Sequence, residues 1–358
     1  MCGRTCLTLS PDEICEACSK TDQKLEWRSE PNLGRRYEGH IDNKGYNTTP
    51  QDITPVLVSG DHFLDENEKS EEFQPVVVPM LWGIIPRYHK GDYRKHGLTT
   101  NNCRLEGLLE SRIYKPLLKA GQRCVVLCEG FYEWQTVTNV KSSERKVFYI
   151  FFPQEKGVKM EDKSTWNDVK RLKLFMCAGL FDVWYDENGD TMYNYTVITF
   201  ESDKTLAWLH HRTPAVLETQ QQVDDWLDFR RVSDTEALKL LTQPRNLEWY
   251  QVSKTVNNSR NKSAECNKPL SEEKVPKSKM MQQWLTKNTK NEVKNEQISF
   301  KEELVSPKKE KISPKKEGNS SKNEEISVKK EKISPKGNKK RSSDEGNSSK
   351  DTKRTKIE

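Results

Sequence analysis

The chain has 358 residues, 60 Lys+Arg against 54 Asp+Glu, a net charge of +6, and only 33% hydrophobic residues at a mean hydropathy of -0.93. That length permits two domains, but so polar a chain cannot bury a core throughout. No apolar run reaches the roughly 18 residues of a membrane span, and the opening MCGRTCLTLS lacks the basic-then-apolar design of a secretory signal.

Taken from the amino end, the first informative residues are Met1-Cys2-Gly3-Arg4. Removal of the initiator methionine leaves Cys2 carrying both an α-amine and a thiol. Their reference pKa values, about 7.7–8.0 and about 8.5, leave each partly nucleophilic near neutrality. Set on adjacent carbons, they can meet one aldehyde in turn: the amine as an imine, then the thiol closing a five-membered thiazolidine. Cys15-Glu16-Ala17-Cys18 has metal-ligand spacing, but no second such pair follows, so structural thiols and no metal are expected. The odd count of 9 cysteines fits a reducing compartment.

Strand-like runs then follow at 55–58 (PVLV), 75–82 (PVVVPMLW), 123–127 (RCVVL), 146–152 (KVFYIFF), 172–181 (LKLFMCAGLF) and 194–200 (NYTVITF). β-branched and aromatic residues dominate them and turn residues bound them. Helices are predicted around Glu106–Arg112, Thr219–Phe229 and Ser233–Leu241, the last opening on Ser-Asp-Thr-Glu. Strands without βαβ alternation predict an α+β fold: a curved, barrel-like, mainly antiparallel sheet with peripheral helices.

This domain is expected over residues 2–265 and a disordered Lys/Glu/Ser-rich tail over 266–358, where KKEKISPK occurs at 308–315 and again at 329–336. From Asn261 on there are 26 Lys+Arg against 16 Asp+Glu, leaving 34 against 38 in residues 1–260. The positive charge therefore belongs to the tail, and a nucleic-acid site in the domain has to be a local groove. Within the tail, the apolar island at 280–285, with Met281, Trp284 and Leu285, has the form of a peptide that folds into a partner's groove. Lys339-Lys340-Arg341 and Lys353-Arg354-Thr355-Lys356 look like a split nuclear-import signal.

Five motifs follow Cys2 in one frame: Tyr46-Asn47-Thr48-Thr49-Pro50, Met80-Leu81-Trp82-Gly83-Ile84-Ile85-Pro86, Asn102-Cys103-Arg104, Gly130-Phe131-Tyr132-Glu133-Trp134 and His210-His211-Arg212-Thr213-Pro214. Together they resemble the SRAP (SOS-response-associated peptidase) family across roughly residues 2–260. The resemblance implies that Cys2 is a nucleophile that links covalently to abasic sites in single-stranded DNA, with Asn102, Glu133 and His210 around it. It further implies that Arg4, Arg104, Arg112 and Arg212 grip phosphates, and that Asn47, Pro50, Trp134 and Thr199 line the same groove.

The residue types suit such chemistry. His210, with a reference pKa near 6.5, is expected to protonate the sugar ring oxygen so that the aldehyde is released. Glu133, between two aromatics, is expected to be desolvated, raised in pKa and able to shuttle protons. Arginine gives bidentate phosphate contacts and aromatics give stacking faces.

Where family members carry a bulky aromatic wedge after Ile85-Pro86, this chain has Arg87-Tyr88-His89, leaving Tyr88 to stack. Trp82 is read as core, and Cys103 as pointing away from the pocket. The resemblance also implies no cofactor, a monomer in the nucleus at replication forks, and a sliding clamp as partner of the tail. Two other classes remain open: a cysteine-type (auto)peptidase, and a noncatalytic reader of modified cytosine that would need the arginines but not Cys2.

Overall fold

A computed structural model describes residues 3–19, 25–28, 45–69 and 74–270. Twelve strands are present among them, and four α-helices flank them. Five strands close a barrel: β3 (Ile53–Ser59), β4 (Pro75–Trp82), β6 (Arg123–Cys128), β9 (Phe175–Tyr185) and β10 (Thr191–Glu201). Pairing runs antiparallel from β4 through β3, β6 and β9 to β10. The ring shuts with a short parallel seam, Asn194↔Leu81 and Tyr195↔Trp82. The expected α+β architecture with a barrel-like, mainly antiparallel sheet is therefore the architecture found.

Both faces of these strands are buried, which is why they read as continuous apolar runs rather than alternating ones. Val56, Val58, Val76, Val78, Met80, Trp82, Cys124 and Val126 form one cluster with residues contributed by other strands and loops. Their neighbours Leu57, Val77, Val125 and Leu127 join the other cluster. There they meet α1 (Pro11–Ala17), α2 (Tyr114–Lys119), α3 (Gln220–Leu227) and α4 (Asp234–Lys239), so the helix-covered side is the outside of the barrel. Trp82 is core, as expected, its indole donating to the Asn101 carbonyl at 3.0 Å.

A second sheet abuts the barrel, in the order β1 (Thr5–Cys6), β7 (Gly130–Trp134), β8 (Val147–Phe151) and β12 (Glu248–Val252). Gly130 is required there: a Cβ would lie 2.4 Å from the Tyr149 ring and 2.6 Å from the Ile150 carbonyl. At the corner between β6 and β7, buried Glu129 accepts from the Thr8 amide (2.6 Å), the Thr8 hydroxyl (2.9 Å) and the Leu9 amide (3.1 Å). This carboxylate ties the incoming chain to the sheet corner.

Two local features differ from expectation. Residues Glu106–Arg112 form no α-helix; a 3-10 turn at Leu105–Gly107 stands there, and helix α2 begins only at Tyr114. Gly107 disfavours a continuous helix. Helix α1 was not anticipated, although Ser10 and Glu13 form a complete capping box with Pro11 at its first turn. Beyond Val256 the chain stays packed through Leu270, whose amide donates to Gln251. The anticipated tail motif at 280–285 lies outside the described residues.

Candidate active site

The sheet junction brings Glu133 and His210 together. Glu133 is on β7, and His210 follows a turn whose Leu206 and Leu209 are anchored in the core. The Thr136 amide, just past β7, donates to the Leu209 carbonyl at 2.7 Å and holds the two segments side by side. As a result His210 Nε2 stands 3.9 Å from Glu133 Oε1, with the residues 9% and 4% exposed.

Burial acts oppositely on the pair. Desolvation pushes the Glu133 carboxyl up to about 7 and the His210 imidazole down to about 4. Near neutrality the histidine is uncharged and the contact is not an ion pair. The Arg212 amide donates to His210 Nδ1 at 3.1 Å, which leaves the proton on Nε2, facing Glu133. This redistributes the roles expected from sequence: Glu133 carries the acidic proton near pH 7, and His210 is a neutral hydrogen-bonding partner.

Cys2 lies outside the described residues. Its neighbours show where the chain enters: Thr5 pairs with Phe131, and the Tyr132 amide donates to the Arg4 carbonyl at 2.9 Å. The same register carried one step further sets Gly3 opposite Glu133.

Arg4, Asn47 and Trp134 form one cluster. Arg4 Nη1 donates to Asn47 Oδ1 at 2.8 Å and to the Val256 carbonyl at 2.5 Å, with its guanidinium 5.6 Å from the Trp134 ring centre. Asn47 is fully buried, and its amide donates to the carbonyls of Val256, Asn258 and Asn261. The Trp134 indole donates to Asn257 at 2.8 Å. Asn47 thus acts as a clasp for residues 256–261, a segment the sequence reading left without a role.

Arg212, Thr199 and Arg104 form a second cluster. Arg212 forks onto Glu106 at 2.7 and 3.0 Å and donates to the Thr199 carbonyl (2.6 Å) and hydroxyl (3.1 Å). Its guanidinium is already occupied by a carboxylate, so a phosphate would have to displace Glu106. Arg104 is exposed at the end of β5 (Asn102–Arg104), paired with buried Thr199. Cys103 packs in the helix-covered cluster, so Asn102 and Arg104 project from the opposite face, as expected.

Arg112 is exposed, Pro50 is half-buried in the turn before β3, and Tyr88 is 73% exposed. Met281, Trp284 and Leu285 lie outside the described residues. Among the described residues, no group of three His, Cys, Asp or Glu is arranged to hold a metal ion. Cys15 and Cys18 are buried on and just after α1.

Comparison with known proteins gives a consistent result. The family model for SOS response associated peptidase (SRAP) matches residues 1–259. The abasic site processing protein HMCES of Xenopus tropicalis is 42% identical over 296 residues, covering 80% of this chain and 85% of that protein. The abasic site processing protein YoqW of Bacillus subtilis is 29% identical over 270 residues, covering 74% and 98%. In fold, a crystal structure of a protein from Bacteroides thetaiotaomicron aligns with TM-score 0.54 at 19% identity, covering 75% of this chain and 100% of that one.

Proposed function

Since the chain belongs to the SRAP family, we propose that it processes abasic sites in single-stranded DNA by bonding its own amino-terminal residue to them. The names carried by its relatives support abasic DNA as the substrate. The observation that carries the chemistry is the Glu133–His210 pair: a buried carboxyl poised near 7 beside a neutral imidazole, where the amino-terminal strand enters.

The steps follow from these groups. Protonated Glu133 assists opening of the sugar hemiacetal, and His210 hydrogen-bonds the released hydroxyl. The Cys2 amine, freed by loss of Met1, adds to the aldehyde carbon to give a carbinolamine. That intermediate loses its hydroxyl as water with a proton from Glu133, and its N–H proton returns to the Glu133 carboxylate, leaving an imine. The Cys2 sulfur then forms a C–S bond to the imine carbon, its proton passing to nitrogen, and a thiazolidine results. No electrons are exchanged, so no redox partner is needed. The product caps the aldehyde that would otherwise promote strand cleavage.

Nuclear location at replication forks, a monomeric state and a sliding-clamp contact through Met281, Trp284 and Leu285 belong to the same proposal. The basic clusters of the tail support the nuclear location, and its apolar island supports the clamp contact.

The test is an oligonucleotide carrying one abasic site, incubated with the purified full chain and run under denaturing conditions without borohydride. A heat-stable adduct is expected, with intact mass showing Met1 absent. Cys2→Ser is expected to leave only a labile imine. An equal yield of stable adduct from Cys2→Ala ends the proposal.

A further inference from the structure

Three aromatic rings outside the described chemistry line up beside it. Phe148 pairs directly across from Glu133 on β8, so the two side chains share one face of the second sheet. Trp249 on β12 pairs with Ile150, which places it on that same face, one strand further out. Trp208 stands over both. Its ring centre is 5.2 Å from that of Phe148, edge-on, and 5.4 Å from that of Trp249.

Trp208 is also tied to the active site, only two residues before His210. Leu206 and Leu209 on either side are buried, and the Trp208 indole donates to the Thr205 carbonyl at 3.0 Å. The ring is held in place, yet Trp208 is 37% exposed and Trp249 39% exposed. Two tryptophans in ring contact, each more than a third exposed, form a small apolar patch beside the site.

A cation lies near the active-site histidine. The β7–β8 register, continued, sets Arg145 opposite Thr136, whose amide holds Leu209. Arg145 Nε is buried with no hydrogen-bond partner among the described residues. Its charge is felt at His210, where it helps disfavour the imidazolium.

We propose that Phe148, Trp208 and Trp249 form a stacking platform for unpaired bases adjoining the lesion. The occupant follows from scale and continuity. At 37% and 39% exposure the two indoles offer on the order of 200 Å² between them. A stable protein partner or a second copy of the chain needs about 800 Å² per side. Flat groups the size of nucleobases match the smaller area, and base stacking on aromatics is tolerant of sequence. The rings begin one residue pair from Glu133, within reach of the nucleotides neighbouring a sugar held there. The platform rests on the reading of the site as a single-stranded DNA site, and it adds where the flanking strand runs.

The test separates the two readings. Binding of the full chain is measured by fluorescence polarisation on single strands with a central tetrahydrofuran, an unreactive abasic mimic. One set has normal flanking bases, and the other has tetrahydrofuran spacers in place of those bases. The parent is expected to bind the first set about 5- to 100-fold more tightly. Trp208→Ala with Trp249→Ala is expected to lose most of that difference, while Trp208→Phe, which retains a ring, keeps it. Thermal melting of the double variant without DNA, at a Tm close to the parent's, shows that it is folded.

Equal discrimination by parent and double variant overturns the platform, whatever the crosslinking result. Loss of adduct formation in the parent, with Trp-dependent discrimination retained, overturns the chemistry and leaves the platform standing. A parent that discriminates neither set refutes the platform and favours a protein occupant.

Discussion

Replacing Glu133 by glutamine tests the electrostatics of the site without relying on any DNA measurement. Burial raises its carboxyl from 4.5 to about 7. The folded protein therefore keeps this proton up to about pH 7, whereas the unfolded chain releases it near 4.5. Between those values unfolding liberates a proton, so stability falls as pH rises, and the full cost is present above about 7. Each pKa unit corresponds to about 1.4 kcal/mol, which puts that cost at about 3 kcal/mol.

Glutamine keeps the shape and cannot ionise. Glu133→Gln is expected to match the parent at about pH 4 and to exceed it by about 3 kcal/mol at about pH 8.5. In a domain of this size that corresponds to roughly 6–12 °C in Tm. Urea unfolding across the pH range, with the slope m checked for constancy, provides the measurement. Stability curves that run parallel for parent and variant refute the reasoning, because the carboxyl would then be solvated as well as an exposed one.

The histidine gives the opposite sign: its folded pKa of about 4, below the reference 6.5, means that stability present above 6.5 is lost as pH falls toward 4. His210→Asn is expected to flatten this acid limb in the same urea experiment. Adduct formation should show a bell-shaped rate with an optimum near pH 7, since it needs a free amine but a protonated Glu133; single-turnover rates would show the alkaline limb disappearing in Glu133→Gln. Asn47→Ala should destabilise the domain by about 3 kcal/mol, because it strands the Asn258 and Asn261 carbonyls and removes one of the two acceptors of Arg4. Thermal melting without DNA reads this directly, and an unchanged Tm would return Asn47 to a purely ligand-facing role.

The barrel strands were legible because both of their faces are buried, so each reads as an unbroken apolar run. Strands that depend on a partner's edge were harder to see. Asn102-Cys103-Arg104 is a polar tripeptide with no strand signature, extended only because β10 offers it an edge. Motif order pointed to Glu133 and His210, and the aromatics flanking Glu133 signalled its desolvation. Which of the two carries the proton was not legible, because it depends on burial produced by three separate elements. Arg212 shows a similar limit: its partner Glu106 is 106 positions away, and nothing local announces the fork. Trp208 and Trp249 belong to none of the motifs, and only the fold sets them side by side.

The seam of the barrel has one more implication. Strand β10 leaves β4 at Gly83, whose amide donates to the Tyr195 carbonyl, and takes up β5 at Asn102, after the Val197 amide has met the Asn101 carbonyl. Residues 84–101 thus depart from and return to the same short stretch of one strand, cross-tied at their base by Thr100 to the Ile84 carbonyl at 2.7 Å. The excursion is nonetheless fastened to the wall it springs from: Arg87 forks onto buried Asp182 of β9, and the Trp184 indole donates to the His89 carbonyl at 3.1 Å. Tyr88, 73% exposed between these two tethered neighbours, is the position where a substitution leaves both ties intact.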